Sequence, residues 1–251
     1  HSFPTRRSSD LFFADRIKGG LQRDARQLLG GDAVVSSDNP PAAVFRDKAR
    51  ALGLTVSETL GFPTMGRAAD AQGGGSKLVS LKAVAPGYPL RGQLTVAAQT
   101  GEPGQTTRDI PAPGEAWVDA PLLDALDLKV GDPLLLGDAS LRVTRLIVNE
   151  PDRGAGFMNF APRVMIHAAD VAATGLVQPA SRVSYRMAVA GEDRRVREFV
   201  TWATEQAKRP EVRGVRVESL ESGRPEMRQT LDRAEKFLNL VALLAALLSA
   251  V

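Results

Sequence analysis

Hydrophobic and polar positions alternate along this chain with two different periods, and the strand-like pattern becomes dominant from Arg91. The chain first shows apolar residues at helical spacing from Phe13 to Leu29, with charged residues between them. The pair Gly30 and Gly31 follows, and glycine commonly ends a helix. This pattern predicts an amphipathic first helix, a stalk helix over residues 12–31.

The segment between this helix and Arg91 predicts a mixture of helix and strand. Asn39 and Pro40 provide a cap and a first-turn proline for a second helix. The residues from Lys77 to Val84 alternate with period two, as a half-buried strand does. In order, the predicted elements are strand 33–36, helix 40–52, strand 54–60, glycine-rich link 68–76 and strand 77–84.

Beyond Arg91 the chain shows short apolar runs separated by Gly- and Pro-containing turns, which predict an inserted β-rich subdomain over residues 91–183. A strand, a helix and a strand then follow between residues 183 and 217. They repeat the order seen before the insertion. The sequence therefore predicts one α+β domain split into residues 32–90 and 184–224.

The first eleven residues, His1 to Leu11, are polar and have no periodic pattern, which predicts disorder. One codon string that encodes them resembles a sequencing-library adapter. We therefore expect residues 1–11 to be an artefact, and the natural chain to have been cut where Phe12 begins.

The last fifteen residues are almost entirely apolar. Between Phe237 and Val251 only Asn239 and Ser249 are polar. A helix of this length spans about 22 Å, less than the hydrocarbon core of about 30 Å. Because the apolar residues surround the helix axis, the pattern favours a truncated transmembrane helix. Together with the stalk that precedes it, this helix would occupy residues 225–251. A buried core helix is the alternative.

Composition narrows the class of protein. The chain has 251 residues, of which 43% are hydrophobic and 24% charged, as in a globular protein of one large or two modest domains. The net charge is +3, with acidic and basic residues interleaved and only 5% aromatic residues, so we predict no nucleic-acid binding. Cysteine is absent, which excludes disulfides and thiolate metal sites.

Motifs for catalysis or cofactor binding are missing. The sequence has no phosphate-binding loop with a lysine and no G-x-S-x-G elbow; the glycine runs 73–76 and 154–156 are interpreted as a link and a loop. Once His1 is set aside, His167 is the one histidine, and we interpret it as a structural residue at a strand end. The prediction is no catalytic, cofactor-binding or metal residue.

Two loop segments are candidate sites. Glu150 and Asp152 flank Pro151, and paired carboxylates can do acid–base work. No apolar residues adjoin them in the sequence, so a solvated loop is the preferred interpretation. The stretch from Phe157 to Phe160 either contacts an apolar ligand or partner, or folds back over the core.

Five segments, in order, carry a resemblance to a known family. The chain from Phe12 to Val251 resembles the YbbP-like permeases of the MacB/FtsX class of ABC transporters. The segments are SETLGFPTM, LVSLKAVAPGYPLRGQL, GEAWVDAPLLDALDLKVGDPLLLGD, FAPRVMIHAADVAATGLVQPASRVSY and LDRAEKFLNLVALLAALLSA.

This resemblance implies a MacB-like periplasmic domain with a porter-like split α+β part and an inserted small β-rich subdomain. It would lie between the first two membrane helices of a bacterial inner-membrane permease, with residues 12–236 in the periplasm. The implied partners are a cytoplasmic ABC ATPase subunit, a periplasmic esterase and membrane lipids, and the implied cargo is a lipid or other hydrophobic molecule. No residue of the chain would do chemistry.

Two other classes of protein stay open at the level of sequence. A soluble periplasmic binding or adaptor protein would use the apolar C-terminus as a buried helix. A hydrolase would need a nucleophile beside a base, and His167 is the one histidine available for that role.

Overall fold

The computed structural model describes residues 6–154 and 160–220, together with Arg233, Lys236, Phe237, Leu240 and Val241. Helices and strands alternate first, strands then dominate, and a final strand–helix–strand run closes the order, as expected for an α+β protein. The helices are α1 (Arg6–Leu29), α2 (Ala43–Ala51), α3 (Ala120–Leu126), α4 (Val171–Thr174) and α5 (Asp193–Ala207). The strands are β1 (Ala33–Ser37), β2 (Thr55–Ala68), β3 (Ser76–Val84), β4 (Leu94–Ala97), β5 (Gln105–Thr107), β6 (Glu115–Asp119), β7 (Pro133–Leu136), β8 (Ala139–Asn149), β9 (Arg163–His167), β10 (Ser184–Ala190) and β11 (Arg216–Ser219). The predicted α+β class is confirmed.

Among the described residues, eleven strands form one continuous sheet in the order β11, β1, β10, β2, β3, β9, β6, β8, β4 and β5. The remaining strand, β7, pairs with both β2 and β8. These two pairings close β2, β3, β9, β6, β8 and β7 into a six-stranded ring. Apolar side chains from all six strands form one buried cluster, which includes Leu81, Val118, Leu134, Leu141 and Ile166.

Helices α2 and α5 cover one face of the open end of the sheet. Phe45 of α2 and Phe199 of α5 are fully buried against Val35 and Met187. Trp202 packs edge-on against Phe45, with 5.5 Å between the ring centroids. The opposite face of these strands carries polar side chains and contacts the end of α1. The candidate functional site lies on this face.

Helix α2 begins later than the sequence pattern predicts. It starts at Ala43 with Ala42 as its N-cap, so Asn39 is not the cap and Pro40 is not in the first turn. The cause is the second proline, Pro41, because a residue that precedes proline is disfavoured in the helical conformation.

The two ends of the chain also bear on the predictions. Residues 1–5 lie outside the described residues, but α1 begins at Arg6, so the disorder predicted for Arg6 to Leu11 is wrong. From Arg6 to Lys18 the sequence contains no glycine or proline that would interrupt the helix. The predicted terminal membrane helix lies outside the described residues apart from Phe237, Leu240 and Val241. Within the described part of the chain, no helix combines the length and apolar character needed to cross a membrane.

Candidate functional site

A group of buried charged side chains lies on the polar face of the sheet, where β3, β9 and the loop after β8 meet. We call it the Lys82 cluster; it comprises Lys82, Tyr88, Glu150, Asp152 and Arg163. Lys82 Nζ donates hydrogen bonds to Tyr88 Oη at 2.8 Å, Glu150 Oε1 at 2.8 Å and Asp152 Oδ2 at 2.9 Å. Arg163 Nε donates to Glu150 Oε2 at 2.8 Å, and the Tyr88 hydroxyl donates to Asp152. The lysine thereby uses all three of its donors.

The Lys82 cluster balances its charges away from water. It holds two cations and two carboxylates, and the side chains of Lys82, Glu150, Asp152 and Arg163 are 8%, 0%, 6% and 7% exposed. Burying such groups is costly unless each is paired and hydrogen-bonded, as these are. The loss of one of these four charged side chains would therefore leave a buried charge uncompensated.

Two protonation states in the cluster are fixed by this environment. Burial would raise the pKa of Glu150, but the charges and hydrogen bonds of Lys82 and Arg163 outweigh it and lower that pKa to about 2. Burial, followed by the charges of Asp152 and Glu150, raises the pKa of Tyr88 well above its ordinary value. Glu150 is therefore a carboxylate and Tyr88 a neutral donor.

The interpretation of Glu150 and Asp152 as a solvated loop is wrong. The two carboxylates fold back onto the sheet, where Lys82 binds both of them. The flanking residue Arg153 is drawn in as well, since it binds Asp119 through Nη2 at 2.6 Å and Nη1 at 3.2 Å. Asp119 precedes α3 but makes no capping bond to it, because its oxygens are taken by Arg153 and by the backbone N–H of Arg163 at 2.8 Å.

A second buried carboxylate, Asp32, lies directly after α1. Its side chain is 2% exposed and accepts two hydrogen bonds from Arg91, from Nε at 2.8 Å and from Nη2 at 2.6 Å. The backbone N–H of Gly191 donates to the same carboxylate at 3.0 Å, and Arg26 Nε lies 3.5 Å away. Arg26 also binds Asp193 at 2.9 Å. Asp32 thus connects the end of α1 to the residue where the β-rich segment begins and to the start of α5.

The end of α1 also contacts the loop that carries the Lys82 cluster. Gly30 has a φ of +75°, and a Cβ placed there would lie 2.9 Å from Asp152 Oδ2. Gly92 has a φ of +80°, and its Cβ would lie 3.0 Å from Pro151 and 3.5 Å from Gln27 of α1. The end of α1 therefore contacts both halves of the sheet, the open end that contains β1 and β10 and the six-stranded ring. We call this contact region the α1 junction.

The change Gly30→Ala is expected to lower the free energy of unfolding by about 1–2 kcal/mol, since alanine is strained at positive φ and its Cβ would crowd Asp152. The matched control is Gly19→Ala in the same helix, where no other group lies within 4 Å. That change should stabilise the helix by roughly 0.5–1 kcal/mol. Urea unfolding followed by circular dichroism measures both, and equal effects of the two variants would contradict the close contact at Gly30.

The remaining sequence candidates lie elsewhere. His167 ends β9, where its Nδ1 accepts a hydrogen bond from the Ala169 N–H at 3.0 Å. Phe160 is 87% exposed, whereas residues 155–159 lie outside the described part of the chain. No group of three or more Asp, Glu or His among the described residues could hold a metal ion.

Sequence reasoning missed the partners Lys82, Arg163, Asp32 and Arg91. One signal was present for Lys82, because the alternation of β3 places it on the same side as Val84. A lysine at such a position needs a carboxylate partner when that side is buried. Nothing in the sequence says which carboxylate, since Glu150 follows 68 residues later.

Comparison with known proteins shows which proteins this chain resembles in sequence. No protein-family profile matches the chain. The chain is 34% identical over 236 residues to an uncharacterized ABC transporter permease, YbbP, of Escherichia coli strain K12, and the match covers 94% of the chain. The chain is homologous to a segment of this permease. The chain spans 27% of the relative's length, and we call it the YbbP-like segment.

Solved structures similar to this YbbP-like segment share little sequence with it. The periplasmic region of MacB from Actinobacillus actinomycetemcomitans covers 85% of the chain, with a TM-score of 0.48 and 10% identity; 98% of that structure is matched. The extracellular domain of the noncanonic ABC-type transporter YknZ from Gram-positive bacteria covers 74% of the chain, with a TM-score of 0.44 and 9% identity; again 98% of that structure is matched.

Proposed function

We propose that this chain is the extracytoplasmic domain of an ABC transporter permease in the bacterial inner membrane, with residues 12–236 in the periplasm. The observation that carries the proposal is the 34% identity to the YbbP permease, sustained over 94% of the chain. In this role the ATPase is a separate cytoplasmic subunit, and the present chain transmits movement and does no chemistry.

The pairing of its polar groups supports a non-catalytic role. Lys82 donates its three hydrogen bonds to Tyr88, Glu150 and Asp152, so its ammonium group is held as a structural cation. Glu150 is a fully buried carboxylate bound by two cations, an arrangement that stabilises the charge and leaves no oxygen to take a proton from a substrate.

The α1 junction supports the transmission of movement. Asp32 binds Arg91 at the start of the β-rich segment and the Gly191 N–H at the start of α5, while Gly30 adjoins Asp152. A shift of α1 along its axis would therefore act on both halves of the sheet through short, buried contacts. The cargo that fits this proposal is a lipid or other hydrophobic molecule of the cell envelope. The proposed partners of the chain in the periplasm are membrane lipids and a periplasmic esterase.

The test is to follow α1 while the ATPase works. Cysteines for spin labels replace two exposed residues, Arg23 of α1 and Thr106 of β5, since this segment has no cysteine of its own. In the complex of full-length permease and ATPase, we expect the distance between the labels to change between the nucleotide-free and ATP-bound states. Asp32→Asn weakens the contacts of the α1 junction by about 2 kcal/mol. It should therefore reduce the change in the distance between the labels by more than half.

The matched control for this experiment is Asp124→Asn, at an exposed position of α3. It removes the same charge without touching the α1 junction, so the distance change should match that of the parent protein. Transmission through the α1 junction would be contradicted if the distance between the labels in the parent protein were the same with and without ATP. It would also be contradicted if that distance changed equally in the Asp32→Asn variant.

A further inference from the structure

A cleft of about 810 Å³, lined by both charged and apolar residues, opens beside the Lys82 cluster. Its floor and walls come from residues 59–63 of β2, 80–82 of β3 and 181–184 at the start of β10, together with Asn39 and Arg186. A volume of this size falls within the range of small-molecule sites. The cleft lies on the face of the sheet opposite α2 and α5, at the boundary between the two halves of the sheet.

Positive charge predominates in the lining of this cleft. Lys82, Arg153, Arg163, Arg182 and Arg186 line it, compared with two acidic residues, Asp38 and Asp152. The first three of these cations are paired with carboxylates in the contacts described above. Arg182 and Arg186 differ, because no carboxylate of the described residues lies within ion-pair distance of either. Among the described residues, one hydrogen bond holds the Arg186 side chain, from Nη2 to the Leu29 carbonyl oxygen at 3.3 Å.

The two arginines lie near one another along the chain that enters β10. Ser184 and Arg186 are two residues apart within the strand, so their side chains leave on the same side, and Arg182, two residues before the strand, lines the same cleft. Ser184 lies opposite Gly61 in the ladder, and Gly61 has no side chain to fill the space between them. Arg186 lies opposite Ser36, whose buried hydroxyl has no hydrogen-bond partner among the described residues. Two guanidinium groups that lack a carboxylate partner among the described residues, and the Ser184 side chain, therefore line the same open space.

We propose that this cleft binds the anionic group of a phosphate- or carboxylate-bearing ligand, held by the guanidinium groups of Arg182 and Arg186 with Ser184 between them. A guanidinium binds such groups through two parallel hydrogen bonds, which suits a pair of arginines without carboxylate partners. The anion comes either from the head group of an anionic lipid or from a small soluble phosphate. Arg186 also contacts Leu29 at the end of α1. Binding of the anion does not require ATP-driven movement, so either proposal can fail without the other.

The experiment titrates the full chain in a non-ionic detergent by calorimetry with three probes. Dihexanoyl phosphatidylglycerol carries the anionic head group on short acyl chains, glycerol 3-phosphate carries the phosphate alone, and dihexanoyl phosphatidylcholine is the zwitterionic control. Arg182→Glu should weaken binding of the anionic probes by about tenfold or more, the effect of losing a charge-assisted hydrogen-bonded contact. Arg194→Glu, at an exposed position of α5, makes the same change in net charge and should leave binding unchanged.

A second variant keeps the charge and fills the space. Ser184 is exposed and faces Gly61, so Ser184→Leu should block the cleft with the fold intact and weaken the anionic probes by a similar factor. Binding of phosphatidylglycerol but not of glycerol 3-phosphate assigns the site to a lipid head group, and binding of both assigns it to the phosphate group. The proposal is overturned if neither anion binds, if phosphatidylcholine binds equally, or if Arg194→Glu weakens binding as much as Arg182→Glu.

Discussion

Replacing Glu150 by glutamine is expected to lower the free energy of unfolding by about 3–5 kcal/mol, the usual cost of removing one partner from a buried ion pair. The side chain of Glu150 is 0% exposed and binds both Lys82 and Arg163. Glutamine has nearly the same shape, so no cavity forms. The loss comes from two buried cations that share one carboxylate, Asp152, in place of two. Urea unfolding at neutral pH measures it.

Two controls separate this cause from a general effect of the substitution. Glu205→Gln removes a carboxylate that is 65% exposed and paired with Lys208, and should cost at most about 0.5 kcal/mol. Adding Lys82→Met to Glu150→Gln restores the balance between Arg163 and Asp152. The double variant should therefore be more stable than the sum of the two single changes predicts. Strict additivity would show that charge balance is not what the cluster provides.

Acid should destabilise the protein through the same residue. The pKa of Glu150 is about 2 in the folded protein and about 4.5 ordinarily, so folding favours the ionised form. A lowered pKa stabilises the fold fully above the unfolded pKa, and that stabilisation is lost as the pH falls from about 4.5 towards 2. The difference between the two pKa values corresponds to about 3 kcal/mol of unfolding free energy.

The measurement compares unfolding free energies of the parent protein and Glu150→Gln from pH 6 to pH 2. Other carboxylates contribute to both curves, so their difference isolates Glu150. The gap between the curves should be largest near pH 6 and should narrow as Glu150 takes up its proton. Curves that stay parallel down to pH 2 would mean that Glu150 is not held as a buried carboxylate.

Local patterns in the sequence predicted the parts of the fold that depend on neighbouring residues. The Gly30–Gly31 pair ends α1, and the alternation from Lys77 to Val84 falls within β3. The strand–helix–strand run after residue 183 is present as β10, α5 and β11. In each case a period or a turn residue acts over a few positions, which a single sequence displays directly.

The candidate site could not be predicted in the same way. Glu150 and Asp152 have polar neighbours in the sequence, and a local reading therefore places them in solvent. Their environment comes from Lys82 and Arg163, which reach them through the pairing of β3 with β9. Whether a charge is buried depends on which strands pair, and the parallel pairing of β3 and β9 joins segments some eighty residues apart. Asp32 and Arg91 are separated in the same manner.

The six-stranded ring determines how separable the β-rich segment is. Two strands of the ring, β2 and β3, come from residues before Arg91. Strand β2 continues beyond the ring to pair with β10. Excising the segment after β3 would strip this hairpin of the partners β7 and β9 and expose Val79 and Leu81 to water. The segment is therefore no interchangeable module. We expect relatives to exchange it only together with the β2–β3 hairpin, with insertions and deletions in its outer loops and not in the strands that enter and leave it.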